Sequence, residues 1–259
     1  MDMDYIKRIG IKAAFESGGI LKSYFGNISH IRKKGAIDLV TEADTASEES
    51  IIAIIRESFP EHSILAEESG LDQCDVDHQW IIDPLDGTVN FAHQVPIFSI
   101  SIAYAFKGTP VMGIVLNPVT GELFSAVAGE GAFLNDRPIK VSNSRIVQES
   151  LLASGFPYDL LSIFDTITRR LEKCLRAAQG IRRLGSAAID ICGVACGRFD
   201  GFWEQNLHPW DTAAAMLIAL EAGAVVTDFS NNPFTMDKKE ILATNGNIHA
   251  EMLSLLDIE

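Results

Sequence analysis

The chain has 259 residues, a formal net charge of -14 from 21 basic and 35 acidic residues, and 47% hydrophobic residues. This composition excludes a disordered chain and a small disulfide scaffold, and the length is sufficient to bury one large core or two smaller ones. The acidic balance argues against binding to nucleic acid or to an anionic membrane surface, because both depend on a cationic protein surface. An anionic substrate would therefore need a bound cation.

The amino terminus carries Asp2 and Asp4 and no apolar run of the signal type. The longest stretch without Asp, Glu, Lys or Arg, residues 87–106, is interrupted by Asn90 and Pro96 and does not predict a membrane span. The four cysteines form no Cys-x-x-Cys pair, so we expect buried free thiols, which suit a reducing compartment. The sequence thus predicts a soluble cytoplasmic protein without a membrane partner.

The first part of the chain predicts two helices before any strand. Apolar residues recur at helical spacing over residues 5–25, and Gly26 is placed to end that helix in a left-handed conformation. A basic stretch at residues 32–35, which includes Lys33, follows as a predicted loop. Thr41 and Asp44 have the spacing of a capping box that begins a second helix, and Pro60 lies beyond its end.

Short apolar runs separated by turns rich in Gly and Pro then predict an antiparallel meander, with strands at 63–66, 80–82, 97–106, 111–116 and 123–127. The second half alternates predicted helices near 165–178, 186–196, 211–222 and 248–256 with strands near 201–203, 225–228 and 240–243. This order predicts two α+β or α/β sublobes, residues 1–145 and 146–259, with the boundary near residues 142–149.

Two carboxylates follow the predicted strand at 80–82. Pro84 has no amide hydrogen and is expected to stop the strand after Asp83, and the Asp86-Gly87 turn then directs both carboxylates into one cleft. Carboxylates at contact distance need a cation between them, since one of the two must otherwise take up a proton. Oxygen ligands of this type favour Mg²⁺ or Mn²⁺ over zinc.

Further acids occupy similar positions. Glu67 follows another apolar run, and Asp211 lies at the start of a predicted helix. The amides of Gly87 and Thr88 are suited to hold a phosphate if a helix begins there. Each residue taken alone also has a structural explanation: a turn at Asp86-Gly87, a helix cap at Thr88, a first-turn acid at Asp211 and a capping box at Asp44.

These motifs together resemble the inositol monophosphatase family, the lithium-sensitive, Mg²⁺-dependent phosphomonoesterases. The resemblance implies an α/β fold, the five-layered αβαβα sandwich of the sugar-phosphatase type, with the site between the two sublobes, and it also implies a homodimer. It is carried by five stretches, which are 38–44, Glu67-Glu68-Ser69, 80–93, 185–188 and 210–224.

The resemblance also implies roles for single residues. Glu67, Asp83 and the Leu85 carbonyl would bind a first Mg²⁺, Asp83, Asp86 and Asp211 a second, and Glu67 a weaker third, with Mn²⁺ as a substitute. Thr88 and Asp44, with Glu67, would orient and deprotonate the attacking water. The remaining implied residues are Gly87 and Thr88 for phosphate, Gly185, Ser186, Ala187 and Glu204 for substrate, and Lys33 on a mobile loop near the site.

The implied reaction is hydrolysis of myo-inositol monophosphate and similar small sugar or polyol phosphates, because Glu204, seven positions before Asp211, lies where the family has its inositol-hydroxyl acceptor. Phosphatases that prefer fructose-1,6-bisphosphate, NADP(H) or 3'-phosphoadenosine nucleotides remain alternatives. An alternative of another class is a regulatory protein that keeps the fold and binds a macromolecular partner. The sequence contains no Gly-x-Ser-x-Gly or Walker A motif that would indicate other chemistry.

Overall fold

A computed structural model describes residues 2–27, 31–33, 39–157 and 160–258. In this part of the chain the first half forms two long helices, a short hairpin between them and the strands of one large sheet. Its elements are α1 (Met3–Tyr24), β1 (Ile31–Lys33), β2 (Leu39–Thr41), α2 (Glu42–Ser58), β3 (His62–Ala66), β4 (Gly70–Asp72), β5 (Asp75–Asp86), α3 (Thr88–Ala92), β6 (Ser99–Phe106), β7 (Thr109–Asn117), β8 (Glu122–Val127), β9 (Gly131–Leu134) and β10 (Arg137–Pro138).

The second half alternates helices with the strands of a smaller sheet. Its elements are β11 (Leu151–Ser154), α4 (Phe164–Ala177), β12 (Gly180–Arg182), α5 (Ala187–Ala195), β13 (Gly201–Gln205), α6 (Pro209–Glu221), β14 (Val225–Thr227), β15 (Glu240–Thr244) and α7 (His249–Leu256), with short 3-10 turns at Val147–Glu149 and Leu160–Ile163. None of the described helices is long and apolar enough to cross a membrane.

The large sheet has the strand order β10-β9-β8-β7-β6-β5-β3-β4. The meander predicted from the sequence is confirmed from β5 to β8, and β9 and β10 extend it, with every neighbouring pair antiparallel. In contrast, β3 runs parallel to β5, with Ala66 opposite Ile82. Because parallel strands end at the same edge of a sheet, the residues that follow β3 lie beside the carboxyl end of β5.

The helices and sheets form five layers, because successive residues of a central strand face opposite sides. On β5, Ile82 packs with α1 and α2, whereas Ile81 packs with α5 and α6. On β13, Phe202 faces the same α5 and α6 layer, and Trp203 packs with α4 and α7 on the far side. The order is therefore α1/α2, large sheet, α5/α6, small sheet, α4/α7, which confirms the predicted αβαβα class.

Contact between α6 and the large sheet is very close. A Cβ added at Gly113 on β7 would lie 2.5 Å from the Ala214 carbonyl oxygen, so only glycine allows this approach. The middle of α6 is thereby fixed against the sheet that also carries Asp83 and Asp86.

Several predictions about the elements were wrong or incomplete. The two-stranded hairpin β1–β2 lies between the first two helices, so Lys33 belongs to a strand and not to a loop, and residues 34 and 35 lie outside the described ranges. Pro84 does not end β5, which continues to Asp86 through a shift in register. The short strands β4, β9, β10, β11 and β12 were missed. The four cysteines are free, as expected, but Cys74 is exposed and Cys196 only partly buried.

The chain passes from the large sheet to the small sheet between Pro138 and Leu151, and the boundary predicted at 145/146 falls in this connection. The division into an N-terminal sublobe, 1–145, and a C-terminal sublobe, 146–259, stays a prediction, because α5 and α6 of the second range pack directly on the sheet of the first.

Candidate active site

A cavity of about 630 Å³ opens where the large sheet, α5, α6 and the end of β13 meet. Six carboxylates line it, two of which come from helices of the second half. They are Glu67, Asp83, Asp86, Asp190, Glu204 and Asp211. The other predicted site residues on its surface are Leu85, Gly87, Thr88, Gly185, Ser186 and Ala187. Asp44 is not on the cavity surface, and the Lys33 side chain lies outside the described part of the chain.

The parallel pairing of β3 with β5 places Glu67 beside Asp83. The Glu67 amide donates to the Ile82 carbonyl at 3.1 Å, which extends the pairing one residue past β3. The buried Glu48 carboxylate on α2 accepts from the amides of Glu68 and Ser69, both at 2.9 Å. The loop that carries Glu67 is therefore held by two hydrogen bonds to a charged acceptor, which are stronger than neutral ones.

A bulge at Pro84 puts Asp83 and Asp86 on one face of β5. Asp83 lies opposite Ser101 and Asp86 opposite Ser99, so three steps on β5 match two steps on β6. Side chains alternate along a strand, and the extra residue of a bulge restores the same facing three positions later. The Asp83 Oδ1 accepts from the Leu85 amide at 2.9 Å, which stabilises the bulge.

Asp86 joins the large sheet to the amino terminus of α5. Its Oδ2 accepts from the Ser186 hydroxyl at 2.5 Å and from the Ala188 amide at 2.9 Å, and its Oδ1 accepts from the Ala187 amide at 3.3 Å. These donors stabilise the carboxylate, as the free amides of a helix start do. The Ser186 hydroxyl, predicted to border the substrate, is thus engaged in positioning Asp86.

Thr88 connects the cavity to Asp44, which lies buried behind it. The Thr88 Oγ1 lies 3.1 Å from both the Asp44 Oδ1 and the Leu85 carbonyl oxygen. The Asp44 Oδ2 accepts from the Thr41 amide at 2.8 Å and from the Thr41 hydroxyl at 2.6 Å, so the capping box is also present. Burial raises the pKa of Asp44 to about 6, against the effect of these hydrogen bonds.

Gly87 makes the turn from β5 to α3 and has a φ of +97°. A Cβ there would lie 3.0 Å from the Gly185 carbonyl oxygen and 3.1 Å from the Ile97 carbonyl oxygen. Both the positive φ and the contact with the Gly185 loop require glycine. A helix does begin at Thr88, which meets the condition set for a phosphate cradle, although α3 has only five residues.

We call Glu67, Asp83, Asp86 and Asp211 the first wall. Burial raises the pKa of Asp83 well above its usual range, and the charges of Glu67, Asp86 and Asp211 raise it further. Desolvation likewise raises the pKa of Asp211, whose Oδ2 accepts from the His208 amide at 2.7 Å, and Asp86 and Glu67 add to the rise. The four carboxylates are close enough to repel one another.

The first wall fits a hard divalent cation by its chemistry, since it offers several carboxylate oxygens that repel one another and lies beside the Leu85 carbonyl. The side chains do not yet converge. Within the described ranges no group of three or more His, Cys, Asp or Glu side chains is in position to hold a metal ion. The hydrogen bonds to the Leu85, Ala188 and His208 amides account for the present orientations, and a cation would have to draw the carboxylates together.

We call Arg183, Asp190 and Glu204 the second wall. Glu204 projects from β13 and is buried beside Gly155, where an added Cβ would lie 1.9 Å from its Oε2. Burial raises the pKa of Glu204 to about 8, Arg183 opposes that rise, and Asp190 and Asp86 add to it. The Arg183 guanidinium lies over the Phe156 ring, 5.8 Å from its centroid.

Four residues of this site were missed from the sequence: Glu48, Asn90, Arg183 and Asp190. Glu48 lies one helical turn after Asp44, and Asp190 is a charge within the otherwise apolar α5, so both had a readable signal in the helical period. The Asn90 Nδ2 donates to the Ile97 and Leu184 carbonyl oxygens, both at 2.7 Å, and ties the Gly87 turn to the 185 loop.

Comparison with known proteins gives consistent results over the whole chain. The family described as "Inositol monophosphatase family" matches residues 2–258. The chain is 44% identical over 257 residues to the Inositol-1-monophosphatase of Synechocystis sp., covering 98% of this chain and 90% of that protein. It is 40% identical over 249 residues to the Nus factor SuhB of Escherichia coli strain K12, covering 95% and 93%.

Solved structures agree. The inositol monophosphatase from Anabaena (Nostoc) sp. PCC 7120 aligns with a TM-score of 0.90 at 41% identity, over 99% of this chain and 96% of that one. The extragenic suppressor protein suhB from Bartonella henselae aligns with a TM-score of 0.94 at 38% identity, over 98% of each chain.

Proposed function

The chain belongs to the inositol monophosphatase family, which supports phosphatase activity, and from that premise we propose that its substrate is myo-inositol monophosphate or a similar small polyol phosphate. The observation that carries this proposal is the pairing of two walls in one cavity. Repelling carboxylates suited to a cation and the buried acceptor Glu204 line the same cavity.

The first wall and the Leu85 carbonyl are the groups that would hold divalent cations, and Mg²⁺ is the ion we propose, with two or three per site and Mn²⁺ as a substitute. When bound, such ions neutralise phosphate charge and lower the pKa of water. Lithium sensitivity belongs to the same proposal, because it requires a small monovalent ion to compete at these oxygen ligands.

Thr88 and Asp44 are proposed to take the proton of the attacking water. The Thr88 hydroxyl lines the cavity and already donates to the Asp44 carboxylate, so the pair forms a path for a proton away from the cavity. Water adds to phosphorus as one of its protons passes to Thr88 and Asp44, the ester P–O bond breaks, and the leaving alkoxide takes up a proton from solvent water. Inorganic phosphate and the alcohol are released, and Asp44 returns its proton to the solvent. We assign the phosphate to the Gly87 and Thr88 amides and the alcohol to Glu204 and the loop of Gly185, Ser186 and Ala187.

A phosphate-release screen tests substrate choice. Inositol monophosphates, fructose-1,6-bisphosphate, NADP⁺ and 3'-phosphoadenosine-5'-phosphate are each offered with Mg²⁺ and with EDTA. We expect the highest kcat/KM for an inositol monophosphate and none in EDTA. A higher value for fructose-1,6-bisphosphate would favour that alternative, for which the exposed basic residues Arg183 and Lys239 at the cavity are the available partners of a second phosphate. Turnover of every substrate in EDTA would exclude metal dependence.

A second candidate function is supported by the relatives named Nus factor SuhB, at 40–41% identity. That name favours the alternative of a macromolecule-binding role carried by the fold. An Asp83→Asn variant separates the two in a strain lacking the native protein, because a phosphatase role needs the carboxylate and a binding role does not. Growth restored by this variant would favour the binding role.

The homodimer and the cytoplasmic location also remain proposals, and light scattering on the purified chain tests the dimer.

A further inference from the structure

Asp190 is a buried acid whose hydrogen bonding is incomplete. It is the one charged residue of α5, lies one turn after the helix cap Ser186, and is 1% exposed. Its Oδ1 is the one buried side-chain oxygen or nitrogen of the described residues that has no hydrogen-bond partner. The Leu184 amide donates to the same carboxylate, so the side chain is held from one side only.

An unsatisfied buried acceptor is costly, and native proteins contain few of them. Such an atom calls for an explanation in terms of a ligand, an ordered water or a strained functional group. Asp190 lines the cavity, so a small rotation of its side chain would bring the buried Oδ1 to a donor group that enters that cavity.

The surroundings of Asp190 define the chemistry of that donor. Glu204 and Arg183 line the same cavity, the charges of Asp86 and Arg183 act on Asp190, and the charge of Asp190 acts on Glu204. A phosphate group here would meet two acids, which disfavours it. Neutral O–H groups suit the site, since two acceptors placed beside each other can each take one hydroxyl of a polyol.

We propose that Asp190 is a specificity-determining residue that accepts a hydrogen bond from a hydroxyl in the alcohol half of the substrate, next to the one that Glu204 accepts. The inference rests on the proposed function for the identity of the alcohol. It adds a second acceptor to the site, so that discrimination depends on two hydroxyls of the ring and not on one.

Kinetics on two substrates test the inference. Asp190→Ala and the isosteric Asp190→Asn are compared with wild type on inositol 1-phosphate and on glycerol 2-phosphate, which has few hydroxyls. We expect Asp190→Ala to lower the ratio of kcat/KM for inositol 1-phosphate over that for glycerol 2-phosphate about ten-fold, and Asp190→Asn to retain more of it because an acceptor oxygen remains. Circular dichroism establishes that each variant is folded.

The matched control is Asp200→Asn. Asp200 is also a buried acid of the second half, but its oxygens accept from the Ser142 hydroxyl and the Leu151 amide, and it does not line the cavity. A merely structural role for Asp190 would change the unfolding temperature, as in the control, and leave the substrate ratio unchanged in both alanine and asparagine variants. That result would overturn the inference.

Binding of myo-inositol itself, measured by NMR titration, separates this inference from the proposed function. If wild type releases no phosphate from either ester and Asp190→Ala still weakens inositol binding about ten-fold, the proposed function fails and the inference stands. If wild type turns over both esters and inositol binds equally well to the variant, the inference fails and the proposed function stands. If wild type neither turns over an ester nor binds inositol, both are overturned.

Discussion

The two walls of the cavity differ in the charges that surround their buried carboxylates. In the first wall, the charges that act on Asp83 come from Glu67, Asp86 and Asp211, all of the same sign. In the second wall, the Arg183 guanidinium acts against the acids and partly balances Glu204. Because uncompensated buried charge is costly, the first wall needs a positive charge from outside the chain, whereas the second wall carries its own. Chemistry and selectivity are therefore expected to separate between the walls.

The largest expected effect is the loss of turnover in Asp83→Asn. We expect kcat/KM to fall by about a hundred-fold to a thousand-fold. The fall should be equal for all substrates, because the acid acts on the phosphate end that they share. The metal-free variant should unfold at no lower temperature than the wild type, since one of four repelling charges is gone. Phosphate release and thermal unfolding are measured together.

Asp77→Asn is the control for this substitution. Asp77 lies on the same strand, β5, and pairs with Lys107 at 3.9 Å on the protein surface, so its loss should leave kcat/KM within about two-fold of the wild type. Near-normal turnover of the Asp83 variant would contradict the claim that the first wall carries the chemistry.

A smaller and selective effect is expected for Glu204→Ala. A hydrogen bond to a charged acceptor contributes about 1.5–3 kcal/mol, so at a pH above the Glu204 pKa of about 8, kcat/KM for inositol 1-phosphate should fall roughly ten-fold to a hundred-fold. Glycerol 2-phosphate should lose much less, because it has few hydroxyls to present. An unchanged ratio of the two kcat/KM values would remove Glu204 from the substrate site.

The smallest effect is expected from Gly155→Ala, which keeps every carboxylate and moves one. The new Cβ would collide with the Glu204 carboxylate and displace it, so the substrate ratio should shift in the same direction as in Glu204→Ala, by about three-fold to ten-fold. The control is Gly19→Ala, because Gly19 lies in helix α1 and an added Cβ there would meet no atom within 4 Å. We therefore expect Gly19→Ala to leave the ratio unchanged, and a shift in that variant would show that the ratio responds to stability alone.

The walls also differ in how far the sequence predicted them. First-wall acids follow apolar strands or begin a helix, and these are local patterns that a single sequence contains. Asp190 has only the signal of a single charge within the apolar α5, and Arg183 is an exposed residue in the loop before that helix, so no local pattern places either of them at the cavity. The same limit explains why β11 and β12 were missed, since strands of three or four residues depend on their neighbours for stability.

Pro84 shows the limit in the opposite direction. The missing amide hydrogen was expected to end the strand, but the neighbouring residues absorb it in a bulge: the Asp83 carboxylate accepts the Leu85 amide, and the Ser47 hydroxyl donates to the Pro84 carbonyl oxygen at 2.8 Å. The expectation that Pro84 interrupts the hydrogen bonding of β5 was therefore right. Only the tertiary structure shows that the resulting bulge places Asp83 and Asp86 on one face of the strand.

Calorimetric titration of Mg²⁺ into the wild-type chain, Asp83→Asn and Glu204→Ala tests the division between the walls most directly. Wild type and Glu204→Ala should bind Mg²⁺ with Kd values within about two-fold of each other, and Asp83→Asn should bind at least about ten-fold more weakly. Unchanged Mg²⁺ binding in Asp83→Asn, or its loss in Glu204→Ala, would contradict the assignment of external positive charge to the first wall.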